Sequence, residues 1–511
     1  MLYFTESFME NKQEEEQNVK ISTIVSIVSL VFIVIVGTVI FLLAKGYRIN
    51  LEDKEIKKTG VLAISTEPTT STVTIDYKDR GTLQRGITLD VGTHTVKVSK
   101  EGYRDWNGTE VIVEGKSTIE NVMLILEDNT LTNVWSSDLT VQEVVRNKNN
   151  TLALIILKDS DKSTYVYKYK FTTYIWDFSQ NPTLLLTTEE DISDLDLSPN
   201  GNWAVVNISG IKNIWNISDN SYFPLEISDT SNLTSYTSTW ANNSNYLILE
   251  SDAGIYSYNP ANKMLYTLLQ KNTPTDKIIW TTDGNGYFYY VEKNNKAYDI
   301  VQLPLNATTP KKTTVNTLFV QNDTSIINKY RKSITENEYN YFDGSTDESL
   351  IAGNILDINV DNKAEGLSIK TDIATYFYDM EAKKHIMMFP YPAEILEYAM
   401  NWKKALIYSE GHGTYVFTFR RNNSDLINSL GLKNISDIAN ASNIHWLSNS
   451  SNIYYEQNNN IYICDKYGDN KQLIKTDGNQ IDFTINNSRD TLLVFETQKD
   501  GTFSINKYKI K

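Results

Sequence analysis

Cysteine is nearly absent from this chain: among 511 residues Cys464 stands alone. A disulfide framework and a cysteine-ligated metal centre are therefore excluded. Histidine is almost as scarce. His94, His385, His412 and His445 are scattered with no cysteine beside them, so neither a zinc site nor any other cofactor is expected. Three catalytic signatures are missing as well: the Gly-x-Ser-x-Gly nucleophile elbow, the Gly-x-x-x-x-Gly-Lys phosphate loop and the His-Glu-x-x-His zinc motif. Positive charge is in deficit, and a net charge of −15 disfavours nucleic acid and anionic lipid as nonspecific partners. Proline is sparse too. Only 10 prolines against 32 tyrosines and 9 tryptophans describe an ordered, aromatic-rich chain and not a disordered stalk.

What the chain does have is one long apolar run. Residues 21–44 carry no charge over 24 positions, and as a helix they would extend roughly 36 Å, enough to cross a hydrocarbon core of about 30 Å. The run reads as a single transmembrane helix. It reads as uncleaved, because Ala44-Lys45-Gly46-Tyr47 lacks a small-x-small cleavage pattern. Residues 1–20, with Glu14-Glu15-Glu16, read as a disordered cytoplasmic tail, and 45–59 as a linker. The flanking charges point the other way: Lys12 and Lys20 precede the run, while Lys45, Arg48, Lys54, Lys57 and Lys58 follow it. A large folded domain translocates largely regardless of charge, and a lone cysteine suits an extracytoplasmic setting. The expectation is a single-pass cell-membrane protein with its C-terminal part outside.

Beyond residue 60 helical periodicity almost vanishes. Short runs of Val, Ile, Thr and Tyr alternate with polar residues and break at Asn, Asp and Gly, the pattern of many short strands. In 60–127 the alternation is clear at Val73-Thr74-Ile75 and Thr95-Val96-Lys97-Val98, with Gly81, Gly92 and Gly102 at the expected turns. Ser65 and Pro68, the Leu89-x-x-Gly92-x-His94-x-Val96-x-Val98 run, Gly102-Tyr103 and Val111-x-Val113 with Gly115 make this segment resemble a PEGA domain, a small bacterial surface β-sandwich. The eponymous turn departs from the pattern, reading Glu67-Pro68-Thr69-Thr70. The resemblance implies an adhesive or spacer module without catalysis. His94 is expected to be a turn-adjacent structural residue.

Residues 128–511 hold a degenerate repeat. Its clearest copy runs from Asp196 through Ser198-Pro199-Asn200-Gly201 to Val206: strand, turn, strand. The layout recurs from Trp240, from Trp280 and from Trp446, with weaker copies near Val145, Phe342, Ala399 and Phe483. Aligning Leu197, Trp240 and Trp280 gives steps of 43 and 40 residues, and a period of about 40 to 50 with four strands per repeat predicts a β-propeller. The Ser-Pro-Asn-Gly copy resembles the TolB-type propeller repeat. Seven or eight blades are expected, with an insertion within 306–393. The predicted fold is thus an all-β ectodomain, a small β-sandwich plus a seven- or eight-bladed propeller, on one N-terminal transmembrane helix.

Candidate site residues each have a plain alternative. Trp240, Trp280 and Trp446 read as packing between blades and not as sugar-stacking platforms. Asp357-Ile-Asn359-Val-Asp361 alternates oxygen ligands as a calcium loop does, yet Asn362 and Ser368 stand where Gly and Glu are needed, so a polar strand entering a turn is expected. Glu189-Glu190-Asp191 with Asp194 and Asp196 reads as a solvated loop between blades. The Asn-x-Ser triplets at Asn207 and Asn449 read as chance in an asparagine-rich chain. With no catalytic, metal or cofactor residue assigned, the expected function is binding of a protein or envelope-glycan partner by the propeller, the PEGA-like unit serving as spacer. Two other readings remain open: a glycan-acting enzyme with paired carboxylates in the propeller funnel, and a structural surface-layer component.

Overall fold

A computed structural model of the chain describes its residues other than 1–24, 42–46, 51–54, 83–85, 160–162, 171–180, 226–234, 296, 322–323, 336–344, 347–349, 362, 364, 382, 400–403, 419–431, 436–437, 439–440, 476–478 and 487–488. The chain divides into two compact units: Met1–Ser99 with Asn107–Val122 and Asn422–Leu426, and Lys100–Trp106 with Met123–Arg421 and Ile427–Lys511.

The apolar run corrects the first expectation. Its described helix, α1, covers residues 25–41, which at 1.5 Å per residue is roughly 26 Å and short of a bilayer core of about 30 Å. Among the described residues no helix is long and apolar enough to cross a membrane. The single-pass assignment, the cell-membrane localisation and the outside placement of the C-terminal part, which was argued against the flanking lysines, are therefore withdrawn.

The first unit is built from two four-stranded sheets. One pairs Glu55–Glu67 with Tyr47–Asn50, Ile87–Asp90 and Ser117–Met123; the other runs Lys78–Asp79, Thr72–Ile75, Gly92–Ser99, Trp106–Ile112. Alternation puts Val73, Ile75, Val96 and Val98 inside while their neighbours stay wet. The sheets approach closely at Gly60, where an added Cβ would lie 2.5 Å from the Val113 carbonyl and 2.8 Å from the Ile112 side chain. The altered Glu67-Pro68-Thr69-Thr70 turn still closes, because Ser71 N donates to Pro68 O at 3.2 Å.

The second unit is a closed ring of eight antiparallel sheets. Blades one to three take Thr140–Thr188, Ile192–Pro224 and Tyr236–Gln270; blade four takes Trp280–Gln321 with a parallel strand, Leu350–Ala352; blade five takes Ile355–Phe389 with Ser345–Thr346; blades six and seven take Glu394–Asn434 and Ser442–Lys475. Blade eight joins the first and last strands of the ring: Gln480–Ile485, Thr491–Thr497 and Phe503–Lys509 are completed by Leu131–Ser137, which pairs antiparallel with Phe503–Lys509.

One local feature recurs in all eight blades. The first residue of the turn between first and second strand donates its N–H to a carbonyl at the start of the second strand or just before it: Asn147 to Leu152, Ser198 to Trp203, Ala241 to Tyr246, Asp283 to Tyr287, Asp361 to Gly366, Ala399 to Lys404, Leu447 to Asn452 and Asn486 to Thr491, at 2.8 to 3.1 Å. By this marker the fourth-blade equivalent of Leu197 and Trp240 is Thr282, two residues after Trp280. The fifth blade's marker is Asp361; the copy expected near Phe342 lies outside the described residues. The long step between these two blades arises because α2, Ser325–Thr335, intervenes and buries Ile327 and Tyr330 in the shared core.

Second strands are buried on both faces, as ring packing requires. Leu152–Lys158 is buried at six successive positions. Ala153, Ile155 and Leu157 pack on Leu493 and Phe495 of blade eight, while Leu152, Leu154 and Ile156 pack on Ala204 and Val206 of blade two. Val205 meets Leu247 and Leu249, Ile248 meets Phe288, Tyr289 joins Ile369 and Ile407, Leu406 meets Ile453, and Tyr454 meets Val494. Each interface leads to the next until blade eight returns to blade one, and that closure makes the unit a propeller.

Candidate functional site

First strands of blades one, five, six, seven and eight supply residues to one cavity of about 620 Å³, which places first strands around the central channel. The turns Asn147–Thr151, Leu447–Ser448 and Asn486 also line it, so it opens at the end where first strands turn into second strands.

Two of its charged groups, Arg146 and Glu397, are held in pairs. Arg146 donates through Nη2 to Asp482 Oδ1 at 2.9 Å and through Nε to Asp482 Oδ2, with Nη1 on Asn150 Oδ1 at 2.5 Å. The pair is mostly buried, at 13% and 17% side-chain exposure. Burial alone would lower the guanidinium pKa, but the Asp482 charge and hydrogen bonds hold it above its usual value. Glu397 Oε2 accepts from Trp446 N at 3.0 Å and pairs with His445 Nδ1 at 3.2 Å. The Tyr454 ring lies 5.4 Å from that imidazole, and burial pushes its hydroxyl up to about 12. Lys148, water-accessible in the concave wall, donates Nζ to Asn242 Oδ1 at 2.8 Å; desolvation lowers its pKa while Glu397 opposes the shift.

A β-bulge precedes many of the channel's polar residues. Register shifts fall between Val141 and Glu143, Ser193 and Asp196, Ile355 and Asp357, Ile395 and Glu397, Ser442 and His445, and Gln480 and Asp482. Bulges re-aim a side chain and locally increase twist. Burial raises the pKa of Glu143, with Asp194 adding to it, and pushes Asp196 up to about 6. Burial likewise raises Asp357, against the opposing Ile358 backbone hydrogen bond and Lys370 charge. Glu143, Asp194 and Asp196 stand outside the cavity lining; Asp357 lines a smaller cavity of about 180 Å³ with Lys370 and Glu394.

The residues weighed from sequence separate clearly. Trp240 donates Nε1 to Asp196 O at 3.1 Å, tying blade three to blade two; Trp280 donates to Glu250 Oε2 at 3.0 Å and stacks on Phe288. Both are packing residues. Trp446 also packs between blades, but it lines the cavity and its buried Nε1 has no partner among the described residues. Asp361 caps its turn, accepting from Lys363 N and Glu365 N at 3.0 and 2.9 Å, which is the polar turn expected of the calcium-like stretch. Asp191 pairs with Lys158 at the surface, Asn207 Nδ2 reaches Asp194 Oδ2 at 3.3 Å, and Asn449 Oδ1 caps Ser451 N and Asn452 N. His94 sits in the first unit, its Nδ1 on Asp76 Oδ2 at 2.6 Å and Nε2 on Asp90 O at 2.8 Å. Arg146, Lys148, Glu397 and Asp482 were not singled out from sequence. The repeat copies near Val145, Ala399 and Phe483 were the available signal, since each residue lies within four positions of a turn-opening residue, Asn147, Ala399 or Asn486.

Residues 59–124 match the PEGA domain family. No curated protein sequence matches the chain. Among solved structures, the WD40 domain of SCAP from fission yeast is similar at 10% identity and TM-score 0.39, over 75% of this chain and 98% of that one. An oligogalacturonate lyase from Vibrio parahaemolyticus is similar at 6% identity and TM-score 0.36, over 75% and 98%. The β-propeller domain of Cps50 (Swd1) from Myceliophteria thermophila is similar at 9% identity and TM-score 0.35, over 75% and 100%. The closed ring of sheets, and not these likenesses, carries the propeller assignment.

Proposed function

We propose that this chain is a binding protein whose propeller presents the channel-mouth cavity to a protein or glycan partner, with the PEGA domain as a separate non-catalytic module. The supporting observation is that five blades converge on one cavity in which Arg146 and Glu397 are held in ionic or hydrogen-bonded pairs and much of the remaining wall is amide, aliphatic and aromatic. Its volume of about 620 Å³ falls in the range of small-molecule sites, roughly 300–1,000 Å³. A hydrolytic reading needs two carboxylates of unequal proton affinity in reach of a common ligand. Burial, with the Asp194 charge adding to it, raises the Glu143 pKa, but neither residue lines the cavity, so binding is the better-supported use.

Photo-crosslinking tests this. A crosslinking residue in place of Leu396, on the cavity wall, is expected to capture a partner that the same residue in place of Tyr222, on the outer strand of blade two, does not. Equal capture from both positions, or none from Leu396, would defeat the reading.

A further inference from the structure

We propose that the channel-mouth cavity takes an uncharged oligosaccharide. The inference rests on the binding reading above and names its ligand class. Charge argues first. Asp482 neutralises Arg146 from behind the wall, and the Glu397 carboxylate acts on both Arg146 and Lys148, so the two cations of the cavity are balanced by two carboxylates, one of them in the lining. Neither sign of ligand charge finds a complementary wall.

The uncommitted polar chemistry suits hydroxyl groups. A sugar hydroxyl donates and accepts at once, and a side-chain amide does the same. Asn149 and Asn359 bring such amides to the wall from blades one and five. Trp446 adds a buried indole N–H with no partner among the described residues, although the indoles of Trp240 and Trp280 are both satisfied. A donor left unmet is costly to the free protein, but this nitrogen is shielded from water, so a ligand oxygen reaches it only where the wall yields.

Apolar surface lies beside these groups. Leu396 is 40% exposed and stands next to half-buried Ile395 on the first strand of blade six. Such a strip matches the C–H face of a pyranose while the amides meet its hydroxyl edge.

Titration calorimetry on the full chain provides the test, with a panel of uncharged hexasaccharides (β-1,4-glucan, α-1,4-glucan, β-1,4-linked N-acetylglucosamine, α-mannan), a polyuronate hexamer, hexalysine and a neutral hexapeptide. At least one uncharged saccharide is expected to bind, with affinity nearly independent of salt. Asn359→Ala and Glu397→Gln should each weaken it about tenfold or more. Asn149→Ala, at an exposed position where folding is not at stake, should weaken it as well. No saccharide binding, or binding that all three variants leave intact, overturns the proposal. Binding of a charged oligomer or the peptide that these variants abolish overturns the saccharide class while leaving the cavity a binding site, which the Leu396 crosslink judges separately.

Discussion

Arg146 and Asp482 lie 336 residues apart in sequence, yet they share a two-point ionic contact across the seam where blade eight meets blade one. The contact is mostly shielded from water, so deleting one partner strands the other charge. Asp482→Asn is expected to cost about 3 kcal/mol of unfolding free energy. The double variant Arg146→Met/Asp482→Leu should recover most of that loss, since no bare charge remains. Denaturant melts of the three proteins decide it, and a double variant no more stable than the single one would refute the argument.

The ring is closed where its last strand pairs with its first, Leu131–Ser137. Trp135 on that strand packs 5.0 Å from Tyr167 of blade one and 6.2 Å from Phe503 of blade eight. Trp135→Ala should destabilise by about 2 kcal/mol, below the full cost of a buried tryptophan because the side chain is half-buried. Hydrogen exchange should rise first in blades one and eight. Uniform acceleration across blades three and four would mean that the seam is not the weak point.

Two tryptophans at matching turn positions predict opposite responses to losing only the indole N–H. Trp240→Phe breaks the bond to the Asp196 carbonyl and should cost about 1 kcal/mol beyond the loss of ring area. Trp446→Phe removes a donor that has no partner among the described residues and should cost less. Thermal melts of both variants test the ordering.

In the first unit, both ring nitrogens of His94 face acceptors, a carboxylate and a carbonyl, so the doubly protonated ring fits best. Burial opposes that charge, but Asp76 outweighs it and raises the His94 pKa; the hydrogen bond from His94 lowers that of Asp76. The histidine contribution is therefore full below the unfolded value near 6.5 and fades as pH rises through the folded value. The Asp76 contribution is present above the unfolded value near 3.9 and fades as pH falls. Stability of this unit should be greatest between about pH 4 and 6.5. His94→Ala should cost about 1 kcal/mol there, a modest figure because Asp76 is half-exposed, and little at pH 9. Melting of the wild type and variant across pH reads this directly; a constant difference would rule out the titration.

Asp196 has the reverse linkage. Burial pushes its carboxyl up to about 6, so ionisation works against the fold as pH rises from about 4 through 6. Asp196→Asn should be neutral at pH 4 and more stable than wild type at pH 8, by about 1 kcal/mol once screening in the wet channel is allowed for. Carboxyl carbon NMR should place the Asp196 midpoint near 6. A midpoint near 4 would show that water reaches it freely.

Much of the fold was legible because its signals are local. The Ser198-Pro199-Asn200-Gly201 turn and the Trp240 and Trp446 copies reflect hydrogen bonds closed within a few residues, and the alternation in Val73–Ile75 reflects burial of one strand face. Local reading failed where distance mattered. The uncharged run at 21–44 was taken at full length, whereas the described helix spans 25–41. The fifth blade was blurred because α2 separates its marker, Asp361, from that of blade four.

By itself, the amino-acid sequence determined the strands, their turns, the PEGA-like segment and a repeat of about 40 to 50 residues, since all of these follow from neighbour chemistry and period-two alternation. Only the tertiary structure decided that there are eight blades, that Leu131–Ser137 seals the last one, and that Arg146, Asn359, Glu397, Trp446 and Asp482 line or brace one cavity. Those outcomes depend on which strands meet after the chain has travelled around the ring. No spacing along the sequence encodes where a circle closes.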